Sequence, residues 1–218
     1  MANSVVILDY EYWTAEGAHD RKRRGMHDLP PLLIQTGAIR LGLEDGLPEL
    51  DALDDLVIPR DLAGNQIMVD GFASALFGYG NDEISKRGFE LAPAMDKLKS
   101  FIGDDLVFSY GPDDLSCSVQ TCHIHGVEHP FPHAKARDVR KLFYKAGVNG
   151  ESLMTVSSGE IAAFLGLPKP AGHHTHNALD DVRSIARALR HFLELGKIDV
   201  KDLTMAGYPY PWGTGDII

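Results

Sequence analysis

Basic residues are in deficit in this 218-residue chain. Lys and Arg number 21 against 31 Asp and Glu, a formal net charge of −10. A protein that grips a long duplex along its phosphates needs a positive surface, so this balance argues against a sequence-reading DNA binder. It is still compatible with phosphate chemistry where bound cations reverse the local field, and it favours a short or single-stranded end as ligand. Cysteine is scarce as well. Cys117 and Cys122 are the only two, too few for a disulfide framework and without the second pair that zinc would need. They read as small buried apolar residues, and a reducing cytoplasm is the expected compartment. Long apolar runs are missing too. Val5-Val6-Ile7-Leu8 is cut off by Asp9, so no secretory signal is expected. No stretch approaches the roughly 20 apolar residues of a membrane span, and no membrane partner is expected.

The composition supports a packed core, with 44% hydrophobic and 24% charged residues. Ser4 to Trp13 reads as a buried strand that becomes charged at its end, Leu32 to Leu43 as a second strand and Asp54 to Ile58 as a third, with an antiparallel arrangement expected in sequence order. Between the last two, Gly42, Asp45-Gly46 and Pro48 punctuate the chain. Helical periodicity then takes over: Phe89, Leu91, Met95, Leu98 and Phe101-Ile102 share one face, and Gly103 is a stop. Leu106 to Tyr110 reads as a short buried strand, followed by a helix through Val119 and Cys122. Arg137 to Arg140 reads as one more strand and Lys141 to Ala146 as a helix. Ser157 and Glu160 make a capping-box pattern ahead of Ile161. A final amphipathic helix runs from about His176 to Leu195. Strands first, then strands alternating with helices, predict one α/β domain over residues 1–198, with a tail of loop composition over 199–218.

Four acids stand out by position. Asp9 and Glu11 lie two residues apart at the end of the first strand, so the period of two puts both on one face. Two carboxylates aimed together from a buried strand need a cation or a shared proton. Asp114 lies just past the next buried strand, and Asp181 lies in the first turns of the last helix, preceded by His176. Hard oxygen ligands of this kind suit Mg²⁺ or Mn²⁺, and two such ions can hold both the attacking and the leaving oxygen of an in-line displacement.

These residues resemble the DEDD exonucleases of the ribonuclease H-like fold. The first motif of that family, DxE after an apolar strand, is matched by Asp9-Tyr10-Glu11 behind Val5-Val6-Ile7-Leu8. The third motif, His, four residues, Asp, is matched by His176-Asn177-Ala178-Leu179-Asp180-Asp181, which places the resemblance in the histidine (DEDDh) branch. The middle stretch Ser109-Tyr110-Gly111-Pro112-Asp113-Asp114 is similar to the Ser-Trp-Gly-x-x-Asp form of relatives that trim short RNAs and histone-message ends. It makes Asp114 the third ligand, with Asp113 as the alternative. The resemblance implies a mixed five-stranded sheet flanked by helices and a two-metal 3′–5′ exonuclease using Mg²⁺ or Mn²⁺. The expected substrate is a single-stranded end, with RNA modestly favoured over DNA, and the product a nucleoside 5′-monophosphate. By the same carry-over Asp9, Glu11 and Asp181 hold one ion, Asp9 and Asp114 the other, and His176 is the general base. Phe72, Phe77 and Tyr79 lie where relatives place residues that wedge or stack the terminal base, although Phe72 and Phe77 fit core positions equally well, and the expected substrate-contacting set is Tyr12, Phe77, Tyr79 and Tyr110.

Each motif has a plainer reading. Asp9 and Glu11 fit a solvated strand end, and Asp180 fits a helix-dipole partner. His173 and His174 fit solvent-exposed loop positions, and His123, His125, His129 and His133 match no metal geometry. The basic runs Arg21–Arg24 and Lys135, Arg137, Arg140 and Lys141 fit either solvated loops or phosphate contacts. Two rival functions stand beside the exonuclease: a non-catalytic nucleotide or nucleic-acid binding module with this fold, and a metal-dependent phosphatase.

Overall fold

The computed structural model describes residues 3–14 and 32–204. Strands β1 (Ser4–Tyr12), β2 (Leu33–Gly42), β3 (Glu49–Leu56), β4 (Leu106–Ser109) and β5 (Ala136–Asp138) form one sheet in the order β3-β2-β1-β4-β5. β1 pairs antiparallel with β2, and β2 with β3, whereas β4 and β5 run parallel to β1. The sheet is therefore mixed and five-stranded, as expected for a ribonuclease H-like fold. β3 begins at Glu49 rather than Asp54. Its first residues are acidic and exposed because β3 is an edge strand, where charge discourages pairing with another chain.

The helices are α1 (Gly71–Phe77), α2 (Asn81–Arg87), α3 (Leu91–Ile102), α4 (Asp113–Ile124), α5 (Arg140–Lys145), α6 (Gly150–Thr155), α7 (Ile161–Phe164) and α8 (Ala178–Glu194). The short α1, α2 and α6 go beyond the helices legible from periodicity. α1 is held by its ends: Asp70 accepts from the backbone of Ala73, and Gly78 closes the helix at φ 80°. The predicted capping box at Ser157 does not form. Ser158–Glu160 is a 3-10 turn leading into α7, and Ser157 makes no side-chain cap. Val200–Leu203 form a 3-10 turn with its own Asp199/Asp202 capping box, and Leu203 is buried in the main core. The aromatic stretch Tyr208 to Trp212 and the Arg21–Arg24 run lie outside the described residues.

Strand alternation divides the core. Val5 and Ile7 point to the face covered by α8, packing with Val182, Ile185 and Leu189. Val6, Leu8 and Tyr10 point to the other face, with Met95 and Leu98 of α3. Each fully buried aliphatic side chain contributes about 1.5–3 kcal/mol, so these two layers fix β1 as the buried centre of the sheet. The same alternation carries Asp9 and Glu11 onto the α8 face. α8 reaches that face because Gly37 of β2 has no side chain: a Cβ there would lie 2.2 Å from the backbone carbon of Ala178. The first turn of the helix thus sits directly on the sheet beside the end of β1.

Candidate metal centre

Three acids meet on this face. Ligand oxygens of Asp9, Glu11 and Asp181 all lie within 4.8 Å of one another. Asp9 is 5% exposed, Glu11 8% and Asp181 2%, so water does little to screen them. Among the described residues no Lys or Arg pairs with any of the three. Burial, then the charge of Asp114, then Asp181 and Glu11 push the carboxyl of Asp9 well above the usual carboxylate range. Glu11 is raised by burial, then by Asp181 and Asp114. Asp181 is pushed up to about 7, chiefly by burial, with the Ser158 hydroxyl and the His176 backbone amide acting against the rise. Ser158 Oγ donates to Asp181 Oδ2 at 3.3 Å, whereas the buried Oδ1 has no hydrogen-bond partner.

A cluster of this kind fits a divalent cation. A buried carboxylate oxygen with no donor is costly, and three neighbouring carboxylates cannot all ionise unless positive charge joins them. Oxygen-only donors suit a hard divalent cation rather than a thiol-seeking metal.

Asp114 stands outside the three-oxygen group but close enough to rank first after burial among the influences on Asp9. It is partly buried in the first turn of α4, whereas Asp113 is exposed. Tyr12 ties this turn to β1, its hydroxyl donating to the Asp114 carbonyl at 2.8 Å. Tyr12 lies one residue beyond Glu11, so alternation aims it at the α3–α4 face, where it packs against the second core layer.

His176 immediately precedes Asn177, the N-cap of α8. Its backbone is left-handed, φ 68°. Partial burial lowers the imidazole pKa, Glu160 opposes that, and His174 adds to it. The downward shift favours the neutral ring, the form able to accept a proton.

The aromatic residues divide. Phe77 is 2% exposed within a core cluster and presents no face for stacking. Tyr110 packs against Phe143 and under the Arg140 guanidinium, its hydroxyl is buried without a partner, and burial pushes its pKa up to about 12. Phe72 is exposed. Tyr79 has its ring half-buried and its hydroxyl bonded to Gln35 and Asn177. Of the second basic group, Arg140 is ion-paired with Asp138 at 2.9 Å, while Arg137 donates to the Ala134 and Ala136 carbonyls. His129 is held between the Phe131 carbonyl and Ser118.

Four contributors escaped the sequence reading. Ser158 and Gly159 border Asp181, and Gln35 is a fully buried amide on β2. Gln35 carried a visible signal, a polar residue inside the apolar run Leu32–Ile39, and Gly37 carried another, since glycine inside a strand marks close backbone approach. Nothing local marked Ser158, which meets Asp181 only in the folded chain.

No protein-family model matches the sequence, and no curated protein matches it. Solved structures do. The nuclease domain of 3′hExo, a DEDDh-family member bound to rAMP, superposes with a TM-score of 0.67 at 20% identity, over 89% of this chain and 93% of that one. Cell-death related nuclease 4 (CRN-4) gives 0.68 at 15% identity, over 89% of this chain and 64% of that one. Exonuclease I of E. coli, in complex with a dT13 oligonucleotide, gives 0.58 at 15% identity, over 87% of this chain and 41% of that one. At these low identities the likeness is one of fold: the chain has a ribonuclease H-like fold shared with these nucleases.

Proposed function

We propose that the protein is a divalent-metal-dependent 3′–5′ exonuclease that removes nucleoside 5′-monophosphates from a single-stranded end, with RNA favoured over DNA. The observation that carries the reading is the meeting of Asp9, Glu11 and Asp181, buried and without a cationic partner among the described residues, in the fold of known 3′ exonucleases. Asp9, Glu11 and Asp181 would hold one Mg²⁺ or Mn²⁺, and Asp9 with Asp114 a second. Ions there would supply the positive charge that a phosphoryl-transfer transition state needs. In hydrolysis the oxygen of a water molecule bonds to phosphorus, the bond to the neighbouring 3′-oxygen breaks, and that oxygen leaves with the shortened strand. His176 takes the proton of the attacking water, a role that suits an imidazole whose burial favours the neutral form. Ser158 orients the Asp181 carboxylate. Tyr12 sets the turn that carries Asp114. Tyr79 and the exposed Phe72 are the rings left to meet a terminal base, since Phe77 and Tyr110 are engaged in packing.

The 3′hExo structure was solved with rAMP and a related 3′-exonuclease with a histone mRNA stem-loop, which supports an RNA end, as does the Ser109-Tyr110-Gly111 motif. The E. coli exonuclease I complex holds DNA, so sugar choice needs a direct measurement. The test is a pair of matched 5′-labelled RNA and DNA oligonucleotides incubated with Mn²⁺ or Mg²⁺. A ladder shortening from the 3′ end, faster on RNA, is expected. Binding without cutting would make the chain a binding module, and free phosphate without a ladder would make it a phosphatase.

A further inference from the structure

We infer that Tyr79 is a positioning residue whose hydroxyl, shared between Gln35 and Asn177, sets where the His176 loop enters α8. The kinetic consequences rest on the nuclease reading above; the structural ones do not.

Gln35 lies directly opposite Glu11 in the β1–β2 pair, so its side chain shares the face of the acidic cluster. It is completely buried. Its Oε1 accepts the backbone N–H of Ala178 at 3.0 Å, and its Nε2 donates to Asp54 Oδ1 at 2.8 Å and to the Tyr79 hydroxyl at 3.2 Å. Both amide hydrogens and the carbonyl are used. Asn177 is constrained in the same way. Its Oδ1 accepts the Asp180 N–H as the helix cap, which turns Nδ2 toward Tyr79, where it donates to the hydroxyl at 2.7 Å. One phenol oxygen thus collects an N–H from β2 and an N–H from the start of α8, across 98 residues of sequence between Tyr79 and Asn177.

The residue next to this junction is His176, at φ 68°. A side chain other than glycine stays in the left-handed region when its surroundings over-determine it. On the N-terminal side the anchors are local: Thr175 accepts from Lys169 Nζ at 3.0 Å, and the His174 N–H donates to Asp180 Oδ2 at 2.8 Å. On the C-terminal side the anchors come from elsewhere in the fold, Tyr79 on Asn177 and Gln35 on Ala178. Tyr79 joins the two. Its ring packs against the Ile34–Phe77 cluster, so removing the hydroxyl alone leaves that packing in place.

Tyr79→Phe keeps the ring, so any stacking of that ring on a base survives and the variant tests the hydroxyl alone. For the full chain with Mn²⁺ and a single-stranded oligonucleotide, Tyr79→Phe is expected to lower kcat about tenfold with KM unchanged, the signature of a misplaced group rather than a lost binding contact. Asn177→Ser keeps a capping hydroxyl but is too short to reach Tyr79. It should give the same loss, and the double variant no further loss. Amide hydrogen exchange, which needs no activity, should quicken over residues 173–178 in both variants and stay unchanged in β1. A raised KM with unchanged kcat in Tyr79→Phe, additive losses in the double variant, or unaltered exchange over 173–178 would each overturn the inference. If the wild type cuts no oligonucleotide, it is the nuclease reading that fails, and exchange alone decides the role of Tyr79.

Discussion

A methyl group on Gly159 would fall 2.2 Å from Oδ1 of Asp181, the carboxylate oxygen that is buried without a hydrogen-bond partner. The gap left by the missing Cβ is the space in which this oxygen sits. Gly159 does not have a positive φ, so alanine fits its backbone and the collision falls on the carboxylate. Gly159→Ala should therefore displace Asp181 while leaving the fold largely intact. Replacing groups that orient a ligand typically costs about 10–100-fold in metal affinity or activity. Titration of Mn²⁺ followed by calorimetry, beside a thermal melt of the metal-free protein, should show affinity falling by that order with little change in Tm. Unchanged affinity would mean that Asp181 is no ligand.

Asp181→Asn tests the same carboxylate by its charge. In the metal-free protein the charge of Asp181 raises both Asp9 and Glu11, so neutralising it relieves repulsion. The variant is expected to melt higher than wild type at pH 8 without metal, and to lose activity by on the order of a thousandfold, about 4 kcal/mol of transition-state stabilisation. This opposition of stability and activity is what a functional site predicts and a structural ion cluster does not. A lower Tm combined with retained cleavage would remove Asp181 from the centre.

The raised carboxyls fix the sign of the pH dependence. Burial pushes the folded Asp181 carboxyl up to about 7 against an ordinary 3.8, and Asp9 and Glu11 move the same way. Between those values the folded chain binds more protons than the unfolded one, so this cluster's contribution to stability falls as pH rises from about 4 to about 7. A cation that binds the ionised cluster reverses the trend. At a free concentration 100 times its Kd it contributes about 2.7 kcal/mol. For a chain of this size that is roughly 5 to 10 °C in Tm. Scanning calorimetry at pH 5 and pH 8, with EDTA or Mn²⁺, should show the larger metal-dependent rise at pH 8. An equal rise at both would place the ion elsewhere.

The parts of this fold that the sequence made legible are those with strong periodicity or a punctuating residue. β1, β2, α3 and α8 stand out through runs such as Val5–Leu8 and the spacing of Val182, Ile185 and Leu189, and their ends fall within a few residues of expectation. β3 was cut short because exposed acids on an edge strand look like a loop. α1, α2 and α6 are six or seven residues long, too short for a periodic signal, although Asp70 and Gly78 mark both ends of α1. In the site, the spacing of Asp9 and Glu11 gave their common face, because alternation is a local property of the chain. Aromatic residues gave no such guide: whether Phe77 or Tyr110 faces solvent depends on what packs over it, and Ile34, Leu56 and Ile84 around the one and Phe143 beside the other decide that only in three dimensions.

The last test isolates His176. Burial holds its imidazole below the ordinary value, and Glu160 pulls in the opposite direction. A general base works in its neutral form, so with saturating Mn²⁺ the rate should climb with pH through the imidazole pKa and level off by neutrality. His176→Ala should lower kcat by about 10²–10⁴ and abolish that acid limb. Because alanine removes no carboxylate, the Mn²⁺-dependent rise in Tm should survive. Asparagine, which tolerates the left-handed backbone at φ 68° better than alanine, makes the cleaner variant, since His176→Asn removes the base with less disturbance of the loop. If both variants lose cleavage equally while keeping the metal response, the imidazole itself is the lost group. If His176→Asn retains the wild-type rate, the proton goes elsewhere and His176 serves the loop alone.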